Sequence, residues 1–180
     1  MRIVSGKHKG LPLQTPSHKF RPTTGVVREA VFDILRARMD FKGKIFADIF
    51  AGSGAVGFEA LSEGFSRAAF VELSGKACGV MKKNIKKLGF ESCAEVFRYD
   101  GFSLDAVVEK ISPDVMFVDP PYHYHEKLNN SLDSLFDTKE NLPLYIIAES
   151  DVPLSASSEN VKKSEKEYGK TLLTIYSSLL

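Results

Sequence analysis

Four consecutive residues carry the clearest chemistry in this chain of 180 residues: Asp119, Pro120, Pro121 and Tyr122. Two successive prolines hold the backbone extended and supply no N–H groups. Rigid carbonyls and the Asp119 carboxylate then present acceptors without donors. The matching guest is a planar amine with two N–H bonds. Tyr122 adds an aromatic face for a stacked base, an interaction worth about 1–3 kcal/mol. An exocyclic amine of a nucleobase is a poor nucleophile, because its lone pair is delocalised into the ring. Asp119 and the Pro120 carbonyl would hold both N–H bonds and aim the lone pair at an electrophilic methyl group. That is catalysis mainly by positioning. The carboxylate would also stabilise the positive charge that develops on nitrogen.

Three further features frame that loop. Asp48-Ile49-Phe50-Ala51-Gly52-Ser53-Gly54-Ala55-Val56-Gly57 lies where a strand gives way to a helix, and its glycines let the backbone approach a ligand closely. Gly52, Gly54 and Gly57 match GxGxxG, the dinucleotide fingerprint. Glu72 follows Gly52 by 20 residues, where an acid at a strand tip accepts hydrogen bonds from a ribose diol. NAD and S-adenosylmethionine fit this pair equally, since both carry an adenosine ribose. Asp100, after the next strand, is placed to reach an adenine amino group.

The elements that must position these residues alternate. Apolar strand runs at Ile45–Phe50, Ala69–Leu73, Ala94–Tyr99, Asp114–Asp119 and Leu144–Glu149 are separated by helices over 54–64, 75–88, about 102–110 and about 126–136. Such alternation means an α/β fold with a parallel sheet covered on both faces. Strands at about 161–167 and 171–177 flank Tyr168-Gly169-Lys170, a turn short enough only for an antiparallel hairpin. The sheet is therefore expected to be doubly wound and to end in a reversed strand. Ahead of it, Thr24 caps a helix whose apolar residues Val27, Ala30, Val31, Ile34 and Leu35 recur at helical spacing.

Charge is unevenly spread. Residues 1–28 hold Arg2, Lys7, Lys9, Lys19, Arg21 and Arg28 and no acid, leaving 18 basic against 23 acidic residues in 29–180, a net of −5. A basic arm on a mildly acidic body suits contact with a polyanion. Ile3, Val4, Leu11 and Leu13 flank a Gly6 to Gly10 turn, which reads as a short hairpin. The expected division is a basic hairpin extension over 1–20 and one catalytic domain over 21–180. Cys78 and Cys93 lack metal or disulfide spacing, so neither a metal nor a disulfide framework is expected, and a reducing cytoplasm fits. No apolar run approaches the roughly 20 residues of a membrane span, and the N-terminus shows no signal-peptide pattern. A monomer is the default expectation.

The residues resemble a known family. Arg2-Ile3-Val4-Ser5-Gly6-Lys7, Lys9-Gly10, Arg21-Pro22-Thr23-Thr24, Val27-Arg28-Glu29-Ala30-Val31-Phe32, the glycine loop, Glu72, Asp119–Tyr122 and Tyr168-Gly169-Lys170-Thr171 are similar, in order and spacing, to the bacterial 16S ribosomal RNA guanine-N2 methyltransferases. The resemblance implies a Rossmann-like class I methyltransferase, with a seven-stranded, mostly parallel sheet and an N-terminal hairpin that contacts RNA. It implies S-adenosylmethionine as methyl donor, with S-adenosylhomocysteine as product, and 16S rRNA or the assembling 30S subunit as partner. It further implies cofactor contacts at Asp48, Ala51, Gly52, Ser53, Gly54, Glu72, Leu73, Asp100 and Gly101, with Thr23 near the methionine end. Asp119 to Tyr122 become the catalytic loop, and Lys7, Lys9, Arg21 and Arg28 the RNA contacts. An adenine-N6 methyltransferase on DNA or RNA remains open, as does an NAD-dependent oxidoreductase using the GxGxxG loop.

Overall fold

The computed structural model describes residues 1–16, 23–121, 123–138 and 141–179. Arg21 and Tyr122 lie outside the described residues. The elements in chain order are α1 (Gly25–Arg36), β1 (Ile45–Ile49), α2 (Ala55–Glu63), β2 (Arg67–Val71), α3 (Gly75–Leu88), β3 (Ala94–Phe97), α4 (Leu104–Ile111), β4 (Val115–Val118), α5 (His125–Thr138), β5 (Tyr145–Ser150), β6 (Val161–Tyr168) and β7 (Thr171–Ser178). They form a seven-stranded sheet in the order β3-β2-β1-β4-β5-β7-β6. β1 to β5 pair in parallel, and β7 enters antiparallel between β5 and β6. This is the doubly wound sheet with a reversed end that the sequence pattern predicts.

The central strands β1, β4 and β5 are buried on both faces, and successive side chains serve different cores. Ala47 and Ile49 of β1, with Met116 and Val118 of β4, pack against Leu104, Val107, Leu128 and Leu132 of α4 and α5. Phe46 and Phe117 point the other way, to Val31 and Leu35 of α1 and Val56 of α2. Thr24 caps α1 as expected, accepting from the Val27 N–H.

Two boundaries differ from the sequence expectation in ways that matter for the site. β2 ends at Val71, two residues before the expected Leu73, so Glu72 stands beyond the ladder. β3 ends at Phe97 where Tyr99 was expected, and α4 starts at Leu104. Asp100 accepts from the Phe102 N–H, and that local turn uses up the residues between.

The N-terminal arm is a hairpin with a single bridge, Arg2 to Pro12, supported by Ile3 N–H to the Leu11 carbonyl and Leu13 N–H to the Met1 carbonyl. Pro12 has no N–H to extend a ladder. The arm is held by the body instead. Ile3 and Leu13 share a core with Phe58 of α2 and Met81 of α3. Gly6 (φ +72°) lies so close to α2 that a Cβ would sit 2.2 Å from the Ser62 carbonyl oxygen. The Asn84 side chain of α3 accepts from the Gln14 N–H and donates to its carbonyl, both at 2.9 Å.

Glu59 is the main anchor. It is fully buried in α2. Its carboxylate accepts from the Val4 and Ser5 N–H groups and from Ser5 Oγ at 2.6 Å, and its Oε2 lies 3.5 Å from Arg28 Nε. Removing one partner of a buried ion pair leaves the other charge uncompensated, at a cost of about 3–5 kcal/mol. Glu59→Ala is therefore expected to lower stability by about that amount, read as a reduced urea midpoint. A midpoint within error of the parent protein would show that the arm is not anchored here.

Candidate active site

β1 and β4 are neighbours, and the chain leaves their carboxyl ends in opposite directions, toward β2 and β5. Ligands bind in the crevice at such a switch point. A cavity of about 770 Å³ opens there. It is lined by Thr23, Asp48, Ala51, Gly52, Ser53, Glu72, Leu73, Asp100, Gly101, Asp119, Pro120 and Pro121, so nearly every described residue expected to touch cofactor or substrate meets in one place. Gly54 lies outside the lining and serves as the α2 N-cap in the left-handed region (φ +76°).

The loop is held by carboxylates from the strand ends. Asp48 Oδ2 accepts from the Gly57 N–H at 2.9 Å and so pins the start of α2 against β1. Burial pushes the Asp48 carboxyl up to about 8, opposed by that N–H and reinforced by the charge of Glu72. Glu72 accepts from the Gly52 N–H at 2.9 Å and from the Ser74 N–H at 2.7 Å, bracing the loop from the second strand. Phe50, two residues before Gly52, adopts φ +61°. Left-handed backbone at a bulky residue carries strain, and such strain clusters at ligand sites. Three acceptors thus stand on consecutive strand ends: Asp48, Glu72 and Asp100. Their chemistry suits, in series, an ammonium, a ribose diol and an adenine amine.

An aromatic rim completes the far end. Phe50 and Phe102 meet edge to face at 4.7 Å, Phe102 and Tyr124 lie 5.5 Å apart, and Lys127 Nζ sits 4.0 Å above the Phe102 ring. These residues, with Met1, Thr15 and Pro16 of the arm, line the cavity but were not identified from the sequence. The clustering of Phe102, Tyr124 and Lys127 near the two strand ends was the available signal. No local pattern marks Met1, Thr15 or Pro16, which reach the cavity only because the arm folds back.

Asp119 follows β4 directly, and Thr23 Oγ1 donates to its Oδ2 at 3.2 Å. Beyond the prolines, His123 has φ +84° and His125 Nε2 lies 2.8 Å from Asp151. That pair ties the start of α5 to the segment after β5.

The expected RNA contacts divide. Lys7 and Lys9 are exposed on the arm. Arg28 is not a surface cation: it is 4% exposed, paired with Glu59, and donates to the Thr23 and Arg2 carbonyls at 2.7 and 3.2 Å. This corrects the expectation of an RNA contact, because its guanidinium is spent inside the protein. A second basic element was missed. α3 carries Lys76, Lys82, Lys83, Lys86 and Lys87 and no acid, and all five are exposed. Asn84 and Phe90 bring this helix against Gln14 and His8 of the arm, so the two basic segments adjoin.

The chain is similar to known proteins along nearly its whole length. A family described as conserved hypothetical protein 95 matches residues 1–177. The chain belongs to that family. YlbH of Bacillus subtilis, provisionally named an rRNA methyltransferase, is 36% identical to this conserved hypothetical protein 95 member over 98% of both chains. Ribosomal RNA small subunit methyltransferase D of Haemophilus influenzae is 32% identical over 98% of this chain and 93% of its own. A solved Escherichia coli structure, provisionally called methyltransferase yhhF, is 29% identical, covers 99% of this chain and 97% of its own, and superposes with a TM-score of 0.77. The fold is that of the class I methyltransferases.

The raised Asp48 carboxyl has a measurable sign. The folded protein holds this proton more tightly than the unfolded chain, whose ordinary value is 3.8. The associated stability is complete below 3.8 and is lost as pH rises to about 8. Asp48→Asn is expected to flatten the fall in urea midpoint across that window. An equally steep fall in the variant would exclude Asp48 as its source.

Proposed function

We propose that this protein transfers a methyl group from S-adenosylmethionine to the exocyclic N2 of a guanine in 16S ribosomal RNA. The observation that carries the reading is the Asp119-Pro120-Pro121 segment opening onto the same cavity as Asp48 and Glu72. The cofactor supplies an electrophilic methyl on a sulfonium. The order of acceptors fits that molecule: Asp48 toward its ammonium, Glu72 toward its ribose diol and Asp100 toward its adenine amine. The names of the Bacillus and Haemophilus relatives support ribosomal RNA as the substrate class.

Each protein group then has a task. Asp119 and the Pro120 carbonyl accept the two N–H bonds of the amine and fix its lone pair in the direction of attack. The bound donor would supply the methyl and leave as a neutral thioether, and Asp119 would stabilise the charge arising on nitrogen until that nitrogen gives up a proton. Tyr122 is assigned to stacking on the base. The target guanine must leave any helical stack to enter the cavity, at a cost of a few kcal/mol. Lys7 and Lys9, joined by Lys83, Lys86 and Lys87, are assigned to the phosphate backbone, and Arg21 is retained as a further RNA contact.

Asp119→Ala is expected to lower transfer by about 10²–10³-fold while calorimetry shows S-adenosylmethionine binding retained. Full activity would refute the role. Ribosomal RNA from cells with and without the gene should differ at one N2-methylguanine; a lost N6-methyladenine would redirect the reading to adenine.

Replacing Lys83, Lys86 and Lys87 together with Gln is expected to flatten the log–log salt dependence of RNA binding, by about 0.7–0.9 per phosphate contact removed. An unchanged slope would remove α3 from the RNA surface.

A further inference from the structure

Thr23 lines the cavity, and it makes contacts with Arg28 and Asp119 that neither cofactor nor RNA binding requires. Thr23 is 8% exposed, and its hydroxyl donates to Asp119 Oδ2 at 3.2 Å. Its carbonyl accepts from Arg28 Nη1 at 2.7 Å. The other Arg28 nitrogen, Nη2, donates to the carbonyl of Arg2 in the arm at 3.2 Å, and Nε faces Glu59. A planar, rigid guanidinium therefore bridges two backbone segments at once, which an ammonium could not do in the same geometry. One of those segments carries the arm. The other carries the hydroxyl that touches the carboxylate at the end of β4.

We infer that Thr23 is a positioning residue for Asp119, and that Arg28 couples the seating of the N-terminal arm to it. The inference rests on the methyl-transfer reading above and adds how the acceptor is aimed. A carboxylate on a flexible χ2 torsion accepts in many directions. A donor fixed on Oδ2 sets its plane, and so the direction in which it receives the amine N–H. The hydrogen bond lies on a charged group, where such bonds are stronger than neutral ones. Arg28 fixes the Thr23 backbone, so the hydroxyl cannot drift from Oδ2 while the arm is in place. Movement of the arm is then felt at the carboxylate.

The test compares Thr23→Val, which keeps the shape and removes the donor, with Thr23→Ser, which keeps the hydroxyl. For Thr23→Val we expect kcat to fall on the order of tenfold, with KM for RNA and for S-adenosylmethionine and the melting midpoint near wild type. Thr23→Ser should recover most of the rate. Crystal structures of the wild type and Thr23→Val should show the Asp119 carboxylate turned in the variant. Wild-type kcat with an unmoved carboxylate overturns the inference, as does a serine variant as slow as valine. Should Thr23→Val not fold, Thr23→Ala carries the same comparison. For Arg28, the cycle of Arg28→Lys with Thr23→Val should be non-additive in kcat, the double variant matching the slower single one. Effects that multiply would show that Arg28 does not act through Thr23. If the wild type transfers no methyl to RNA, the functional reading fails, whereas the position of the carboxylate still reports on Thr23.

Discussion

A carboxylate with no access to water must find its partners within the protein. Glu59 finds them on two segments and so ties three together. It receives the arm through Val4 and Ser5, faces Arg28 of α1, and itself belongs to α2, the helix that grows from the glycine loop. Arg28 then spends its remaining donors on the backbone of Arg2 and Thr23. This one cluster fixes the arm, the entry to α1 and α2 relative to one another. Charge is used here to specify an arrangement rather than to hold a surface in solution, in keeping with the modest net worth of buried pairs and the large cost of breaking them.

The cavity lies where the sheet reverses its winding. Strands that run in parallel deliver their carboxyl ends to one edge, so Asp48, Glu72, Asp100 and Asp119 converge although they are spread over 72 positions of sequence. Hydrophobic burial of Ile49, Val71 and Val118 fixes those strands at full depth. That packing brings the polar ends to the rim, where their own hydrogen bonds orient them. Asp48 shows the tension in this design, since the same burial that positions it disfavours its charge.

Features set by short-range pattern were legible in the sequence. Alternating apolar runs gave the strands, and residues just past them were therefore candidate ligand contacts. The Thr24 cap and the short Tyr168-Gly169-Lys170 turn were equally local. What was not legible depended on contacts between distant segments. Arg28 reads as one more cation in a basic arm until Glu59, 31 residues later, is seen beside it. The lysines of α3 read as an ordinary solvated face until Asn84 and Phe90 bring the arm against that helix. Met1, Thr15 and Pro16 could be assigned to the cavity only after the arm was known to fold back. The family resemblance carried the substrate class, which no physical reading of the catalytic loop separates from adenine.

The placement of β7 has a consequence for how the chain assembles. β5 pairs on one side with β4 and on the other with a strand that comes 20 residues after it ends. Until residues 171–178 have emerged and turned back, one edge of β5, with the apolar Ile146, Ile147 and Ala148 at its centre, is unpaired. Open apolar edges are templates for pairing with other chains. The hairpin of β6 and β7 is thus a closing piece, and the finished sheet presents β6 outward, with Lys162, Lys163, Glu165, Lys166 and Glu167 in place of that edge. Nascent chains caught before this step are the form of the protein most exposed to aggregation.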